Sequence, residues 1–260
     1  PDATRATGQT RAMGQTFSTS SPSSTYLLPS GQTFAALDTG VASASNLPPL
    51  ETFAVRRGPA AIAELYSPPR VTAALPRPVR GQQLHRSEHV AGSTFDLITD
   101  EAGIAWDFTR PSDRKRAWER IRAEEPFLVV GSPPCTMFSR LQVNLNANKM
   151  GKVEWEKRRR SAEVLLIFAV AVYKLQVLAG RHFLHEHPAG ATSWHHPAIV
   201  KLRARHGVDA VVAHQCEFGL ETSAEGGGRA PARKPTRFMS SSPAILEALS
   251  RKCQGGHARA

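Results

Sequence analysis

Cysteine is scarce in this sequence, with three residues, Cys135, Cys216 and Cys253, among 260. An odd, sparse set cannot build a disulfide framework, so an intracellular, reducing compartment is expected. Apolar runs long enough to cross a bilayer are also lacking. The most apolar stretch, VLLIFAVAVY from Val164 to Tyr173, stops at Lys174 and reads as a buried helix, with no membrane as partner. The opening PDATRATGQTRAMGQTF has no apolar segment such as a secretory signal needs, and no initiator Met, as expected of a fragment or a processed product. No internal repeat is apparent. Acidic residues are outnumbered, 22 against 33 Lys and Arg, for a formal charge of +11. A polyanionic partner is the first expectation, nucleic acid the commonest. Surplus arginine that merely solubilises the surface would give the same balance.

Enough is present for one sizeable core, since 41% of the residues are hydrophobic. Residues 1–58 are rich in Ser, Thr, Pro, Gly and Ala without a sustained period, and are expected to be disordered. From Ala60 the pattern changes, and 59–260 reads as one domain. AIAELY (Ala61–Tyr66) is a strand running into the turn SPPR; FDLI (Phe95–Ile98) and IAWDF (Ile104–Phe108) are further strand candidates. A helix is predicted over Pro111–Glu125, capped by Thr109 or Ser112, with Ala117, Trp118 and Ile121 as its apolar stripe. FLVV (Phe127–Val130) reads as a strand buried on both faces. Lys152–Leu178 is the longest helical segment, basic at first and apolar after. Arg181–Glu186 is a strand, His196–Arg205 a helix opened by Pro197, Val208–His214 a strand, 224–232 a Gly-rich loop, Thr236–Met239 a strand and Pro243–Arg251 a closing helix. Alternating strands and helices predict an α/β fold with a mostly parallel sheet and helices on both faces. Such sheets hold ligands beyond the carboxyl ends of their strands.

The residues at those ends are Glu64-Leu65-Tyr66-Ser67, the neighbourhood of Asp107, Gly131-Ser132-Pro133-Pro134-Cys135, and Glu186-His187-Pro188. Acids and one thiol therefore gather on one edge. Two prolines stiffen the approach to Cys135. A helix beginning over Thr136–Leu141 would lower the thiol pKa through its dipoles and make it a nucleophile; a buried Cys acting as a small hydrophobe is the plain alternative.

GSPPCTMFS, residues 131–139, resembles the GGPPCQ-x-FS segment of the cytosine-5 DNA methyltransferases. The Gly-x-Pro-Pro-Cys core and the following Phe-Ser both match. The resemblance implies a Rossmann-like methyltransferase fold, with S-adenosylmethionine as cofactor and DNA or RNA as partner. It implies that Cys135 attacks C6 of a flipped cytosine, so that C5 can take the methyl group. Glu186 then corresponds to the family's Glu that holds the N3 edge and relieves the charge building in the ring. The motif reads Glu-His-Pro here, so only the Glu carries over. AELYSPPRVT stands where the family has a glycine loop around the cofactor. The glycines are absent, and Glu64, Tyr66, Ser67, Ser132 and Pro133 are the expected cofactor contacts. Asp96 stands at the ribose position and Asp107 at the adenine position. Arg233-Lys234-Pro235-Thr236-Arg237-Phe238 resembles a late family segment that packs beside the cofactor site. A recognition domain is not visible between the late motifs.

Arg140, Lys149, Lys152, Lys157, Arg158, Arg159 and Arg160 follow the Cys loop and are candidate phosphate contacts; Arg203 and Arg205 have an Arg-x-Arg spacing that the family also uses. A run of charge on a helix is equally a solvated face. His182, His185, His187, His195 and His196 are a local excess of imidazole, with loop and surface positions as the default reading. His214-x-Cys216 and Cys253-x-x-x-His257 make a candidate zinc set, though neither spacing is that of a standard finger; no metal is counted in the expected machinery. A monomer is expected, intracellular and nuclear. The leading expectation is an S-adenosylmethionine-dependent methyltransferase acting on cytosine. The alternative is an inactive, nucleic-acid-binding descendant within a mobile-element polyprotein, whose modules the EHPxxATSW and KPTRF segments also resemble.

Overall fold

A computed structural model describes residues 60–75, 89–98, 105–139, 149–224 and 227–255. The expected disordered lead, 1–58, lies outside the described residues, as do Arg140 and His257. The elements are β1 (Ala60–Leu65), β2 (His89–Phe95), α1 (Pro111–Glu124), β3 (Leu128–Gly131), α2 (Lys152–Leu178), β4 (His182–Pro188), α3 (Pro197–Arg203), β5 (Asp209–His214), β6 (Glu221–Ser223), β7 (Arg229–Pro231), β8 (Pro235–Ser240) and α4 (Pro243–Leu249).

Six strands form one sheet in the order β2-β1-β3-β4-β8-β5. β1 pairs in parallel with β2 and β3, and β3 with β4; β8 runs antiparallel between β4 and β5. From β1 the chain goes to one side to make β2, then returns across to β3 on the other side. That reversal leaves a crevice beyond the ends of β1 and β3, where open α/β sheets bind ligands. The next connections proceed in one direction, so right-handed crossovers put α1, α2 and α3 on the same face. Their contacts agree: Trp118 of α1 meets Phe168 of α2 at 5.7 Å, and Ile199 and Leu202 of α3 join the same buried cluster. α4 packs over β5 and β8, with its buried Leu246 outside that cluster.

α1 starts on Pro111, whose ring presets the helical φ, and its Ala117, Trp118 and Ile121 are buried. It ends where Glu125 turns left-handed (φ 46°) just before Pro126. Neither Thr109 nor Ser112 caps it. Arg110 is the N-cap residue and gives no side-chain cap, because Thr109 instead donates to Asp107. α2 is long and apolar enough to cross a membrane by composition, yet its apolar half is a core helix. Leu166, Phe168, Val172 and Tyr173 are buried, and Tyr173 stacks on Phe183 of β4 at 4.6 Å. Each such side chain contributes roughly 1.5–3 kcal/mol.

Three expected elements differ. β2 ends at Phe95, where the FDLI strand was to begin, because its pairing with β1 runs back to His89. The IAWDF segment is no strand among the described residues: Trp106 bonds back to the Asp96 carbonyl, and Asp107 opens a turn. Part of the Gly-rich loop is ordered as the β6–β7 hairpin, with Arg229 paired to Glu221.

Candidate functional site

Ser132, Pro133, Pro134 and Cys135 leave β3 beside the switch point. After Cys135 there is a single 3-10 turn, Thr136–Phe138, closed by Phe138 N–H donating to the Cys135 carbonyl at 3.0 Å. The expected helix over Thr136–Leu141 is thus reduced to one turn through Phe138; residues 140 and 141 lie outside the described residues. The effect on the thiol is also the reverse of the one expected. Burial pushes the Cys135 pKa up, and the nearby Glu186 carboxylate pushes it further. The Lys234 ammonium acts against both.

Glu186 comes from the adjacent strand β4. Its alternation with buried Phe183, His185 and His187 turns it to the other face of the sheet, where it is half-buried. Burial raises its pKa; Lys234 and a hydrogen bond from Ser132 oppose that rise. The structure therefore brings Cys135, Glu186, Ser132 and Lys234 together. Lys234 precedes β8, and the sequence had placed it only within a segment packing near the cofactor.

His187 was expected at the surface but is buried. Its Nε2 lies 2.7 Å from the Pro133 carbonyl, and its Nδ1 lies 2.6 Å from Ser193 Oγ. A carbonyl can only accept, so Nε2 carries the hydrogen and Nδ1 accepts from the Ser193 hydroxyl. The imidazole thus ties β4 and the turn after it to the Pro-Pro-Cys loop. Burial lowers its pKa to about 4, so the ring is neutral near pH 7. His185, also buried, meets the Tyr173 hydroxyl at 3.3 Å through Nδ1. Its Nε2 has no hydrogen-bond partner among the described residues, and burial holds its pKa well below the usual value. His196 caps α3, its Nδ1 accepting from Ala198 N–H.

Gly131 lets this loop pass close to α2. A Cβ there would overlap the Tyr173 hydroxyl, which stacking and the His185 contact hold in place. Gly131→Ala is expected to destabilise the fold by about 1–3 kcal/mol. A double variant with Tyr173→Phe should recover part of that loss, and urea-unfolding midpoints of the four proteins provide the check.

The candidate cofactor contacts separate into two groups. Asp96 is buried just beyond β2, next to Tyr66, whose N–H donates to the Phe95 carbonyl. Tyr66 takes a left-handed conformation (φ 66°) at the end of β1, the turn a glycine adopts without strain. Its ring points into the core, edge-on to Phe108, and its hydroxyl donates to the Leu165 carbonyl. Ser67 donates to the Pro68 carbonyl. Glu64 and Asp107 are committed to their own loops. Glu64 Oε1 accepts from Arg70 N–H, Thr72 N–H and Thr72 Oγ1 at 2.7–2.9 Å. Asp107 accepts from Thr109 and pairs with Arg110 at 3.1 Å, bonds that lower its pKa.

The candidate phosphate contacts are exposed. Lys149 precedes α2, Lys152 opens it, Lys157 and Arg160 lie within its first three turns, Arg203 ends α3 and Arg205 follows it. Arg158 and Arg159 instead pair with Glu154 and Glu163 on their own helix, at 2.7 and 3.2 Å. Arg237 of β8 sits over the Trp194 ring, and burial, with the nearby Arg203, lowers its pKa.

The sequence matches no family model and no curated protein. Among solved structures, the chain is similar to the Entamoeba histolytica methyltransferase EhMeth, at 10% identity and a TM-score of 0.37 over 72% of this chain. The match spans about half of that structure, 54% of its length.

Proposed function

We propose that this protein transfers a methyl group from S-adenosylmethionine to C5 of cytosine in nucleic acid, with Cys135 as nucleophile. The observation that supports it most is the meeting of the Cys135 thiol and the Glu186 carboxyl at the carboxyl ends of neighbouring parallel strands, beside the switch point. Asp96, Ser67 and the backbone of Ser132 would hold the cofactor, which supplies the electrophilic methyl group when bound. Buried Asp96, whose Oδ1 accepts from Ile98 N–H at 3.1 Å, would offer its remaining acceptor capacity to a ligand hydroxyl beside the left-handed turn at Tyr66.

Cys135 gives up its proton to water, with the Lys234 ammonium favouring the thiolate, and its sulfur bonds to C6 of the flipped base. Glu186, whose pKa burial raises, shares a proton with N3 as negative charge builds in the ring. C5 becomes nucleophilic and would take the methyl group as its bond to the cofactor sulfur breaks and the demethylated cofactor is released. The C5 proton then passes to water, the C5–C6 double bond re-forms, and the C6–S bond breaks to return Cys135 as thiolate. Lys149, Lys152, Lys157 and Arg160 are free of the helix ion pairs above and are the proposed phosphate contacts.

The competing reading is an inactive nucleic-acid-binding module, supported by the prolines and the buried Tyr66 ring where the resemblance leads one to expect glycines. Incubation with 5-fluorocytosine DNA or RNA and S-adenosylmethionine separates the two. A covalent adduct is expected, lost in Cys135→Ala. Absence of an adduct, of methyl transfer and of calorimetric heat with S-adenosylmethionine would leave the inactive module.

A further inference from the structure

Two thiols take no part in the chemistry at Cys135. Cys216 sits in the 3-10 turn Gln215–Phe218 that follows β5, and Cys253 lies beyond α4. Two hydrogen bonds lay the later segment against the end of β5. His214 N–H donates to the Arg251 carbonyl at 3.0 Å, and Cys253 N–H donates to His214 Nδ1 at 2.9 Å. The Cys216 and Cys253 side chains are thereby hydrogen-bonded to each other. With the Glu217 carboxylate, their ligand atoms all lie within 4.8 Å of one another. Gly255 N–H points at the Cys253 sulfur at 3.4 Å, as backbone amides do around a thiolate.

We propose that Cys216, Glu217 and Cys253 bind one zinc ion that pins the C-terminal segment to the end of β5. A tetrahedral ion with bonds of about 2.3 Å to sulfur and 2.0–2.2 Å to oxygen draws its ligands to roughly 3.3–3.8 Å apart, so closure needs a movement of about an ångström. The donors are half-exposed or exposed side chains that can make it. His214 differs from its sequence reading: its Nδ1 is taken by the Cys253 N–H, so it orients a ligand instead of being one. On binding, both thiol protons pass to solvent as the two Zn–S bonds form, no electron moves, and water fills the fourth position. Two thiolates and a carboxylate leave the bound centre with one net negative charge. Arg233 and Lys252, the cations near His214, balance it. Thiolate ligands favour zinc over magnesium or calcium.

The whole chain, purified under reducing conditions, is titrated with ZnCl2 and separately with CoCl2. The expected result is one zinc per chain beyond what the Cys216→Ser/Cys253→Ser double variant takes up, with release of protons. Cobalt should give a sulfur-to-metal charge-transfer band that persists in Cys135→Ser. Glu217 is exposed, so Glu217→Gln should fold normally and weaken binding about tenfold or more. Equal zinc uptake by wild type and double variant overturns the proposal, as does a missing cobalt band or a wild type that forms a Cys216–Cys253 disulfide but binds no zinc when reduced. None of these readouts involves Cys135 or Glu186 chemistry, so the zinc site and the methyl-transfer reading stand or fall separately.

Discussion

Glu186→Gln is expected to slow methyl transfer by about 10²–10⁴-fold, the usual worth of a positioned proton donor, while making Cys135 easier to alkylate. The two effects have opposite signs because Glu186 has two neighbours. Toward the base, its carboxyl supplies the proton that N3 needs as the sulfur adds; glutamine can still donate a hydrogen bond but cannot transfer a proton. Toward Cys135, its carboxylate is a negative charge that opposes thiolate formation. Removing that charge lowers the thiol pKa, so iodoacetamide at fixed pH should react faster. Lys234→Met should slow both alkylation and transfer, because the ammonium now helps Cys135 to ionise. Single-turnover transfer and alkylation rates on the same preparations provide the measurement. A Glu186→Gln protein that loses transfer and thiol reactivity together has lost its local structure, and full transfer by Glu186→Gln would remove the residue from the chemistry.

Local signals carried most of the architecture. α2 begins and ends at the predicted residues because its charge gives way to an uninterrupted apolar run, ended by Gly180 with φ 65°. β3 was legible as a short apolar run with no polar face, as a central parallel strand requires. β4 was found too, but the faces of its histidines were not. Imidazole at alternate positions looks like a solvated face, and only a tertiary partner makes burial tolerable; Pro133, Ser193 and Tyr173 are distant in sequence or carry no motif. The same limit applies to the carboxylates. A glutamate at a strand end looks available for a ligand, yet Glu64 folds back onto Thr72 in its own loop. Lys234 was visible only as part of KPTRF, since its nearness to Cys135 depends on β8 being inserted beside β4.

His187 should make this protein acid-sensitive in a way that one substitution removes. In the fold its pKa is lowered to about 4, against 6.5 for an ordinary histidine, because burial disfavours the charged ring. The unfolded chain therefore takes up the proton first. Stability is fully present above about pH 6.5 and is lost as pH falls from there toward 4. At 1.36 kcal/mol per pH unit of difference, this residue alone accounts for about 3 kcal/mol across that window. Protonation would also convert Nδ1 from an acceptor of the Ser193 hydroxyl into a second donor, so that the hydroxyl has to turn and accept instead. His187→Gln keeps one donor for Pro133 and one acceptor for Ser193 but has no proton to gain. It should be less stable than wild type at pH 7.5, and the gap should narrow or reverse by pH 4.5. His185 titrates with the same sign and is itself held lower by His187, so the difference between their urea-midpoint profiles reports His187 together with its effect on His185. Parallel profiles would mean that the ring is not held neutral by the fold. A narrowing gap accompanied by faster alkylation of Cys135 in His187→Gln at pH 7.5 would tie the buried imidazole to the placement of the Pro-Pro-Cys loop, which it holds through the bond to the Pro133 carbonyl.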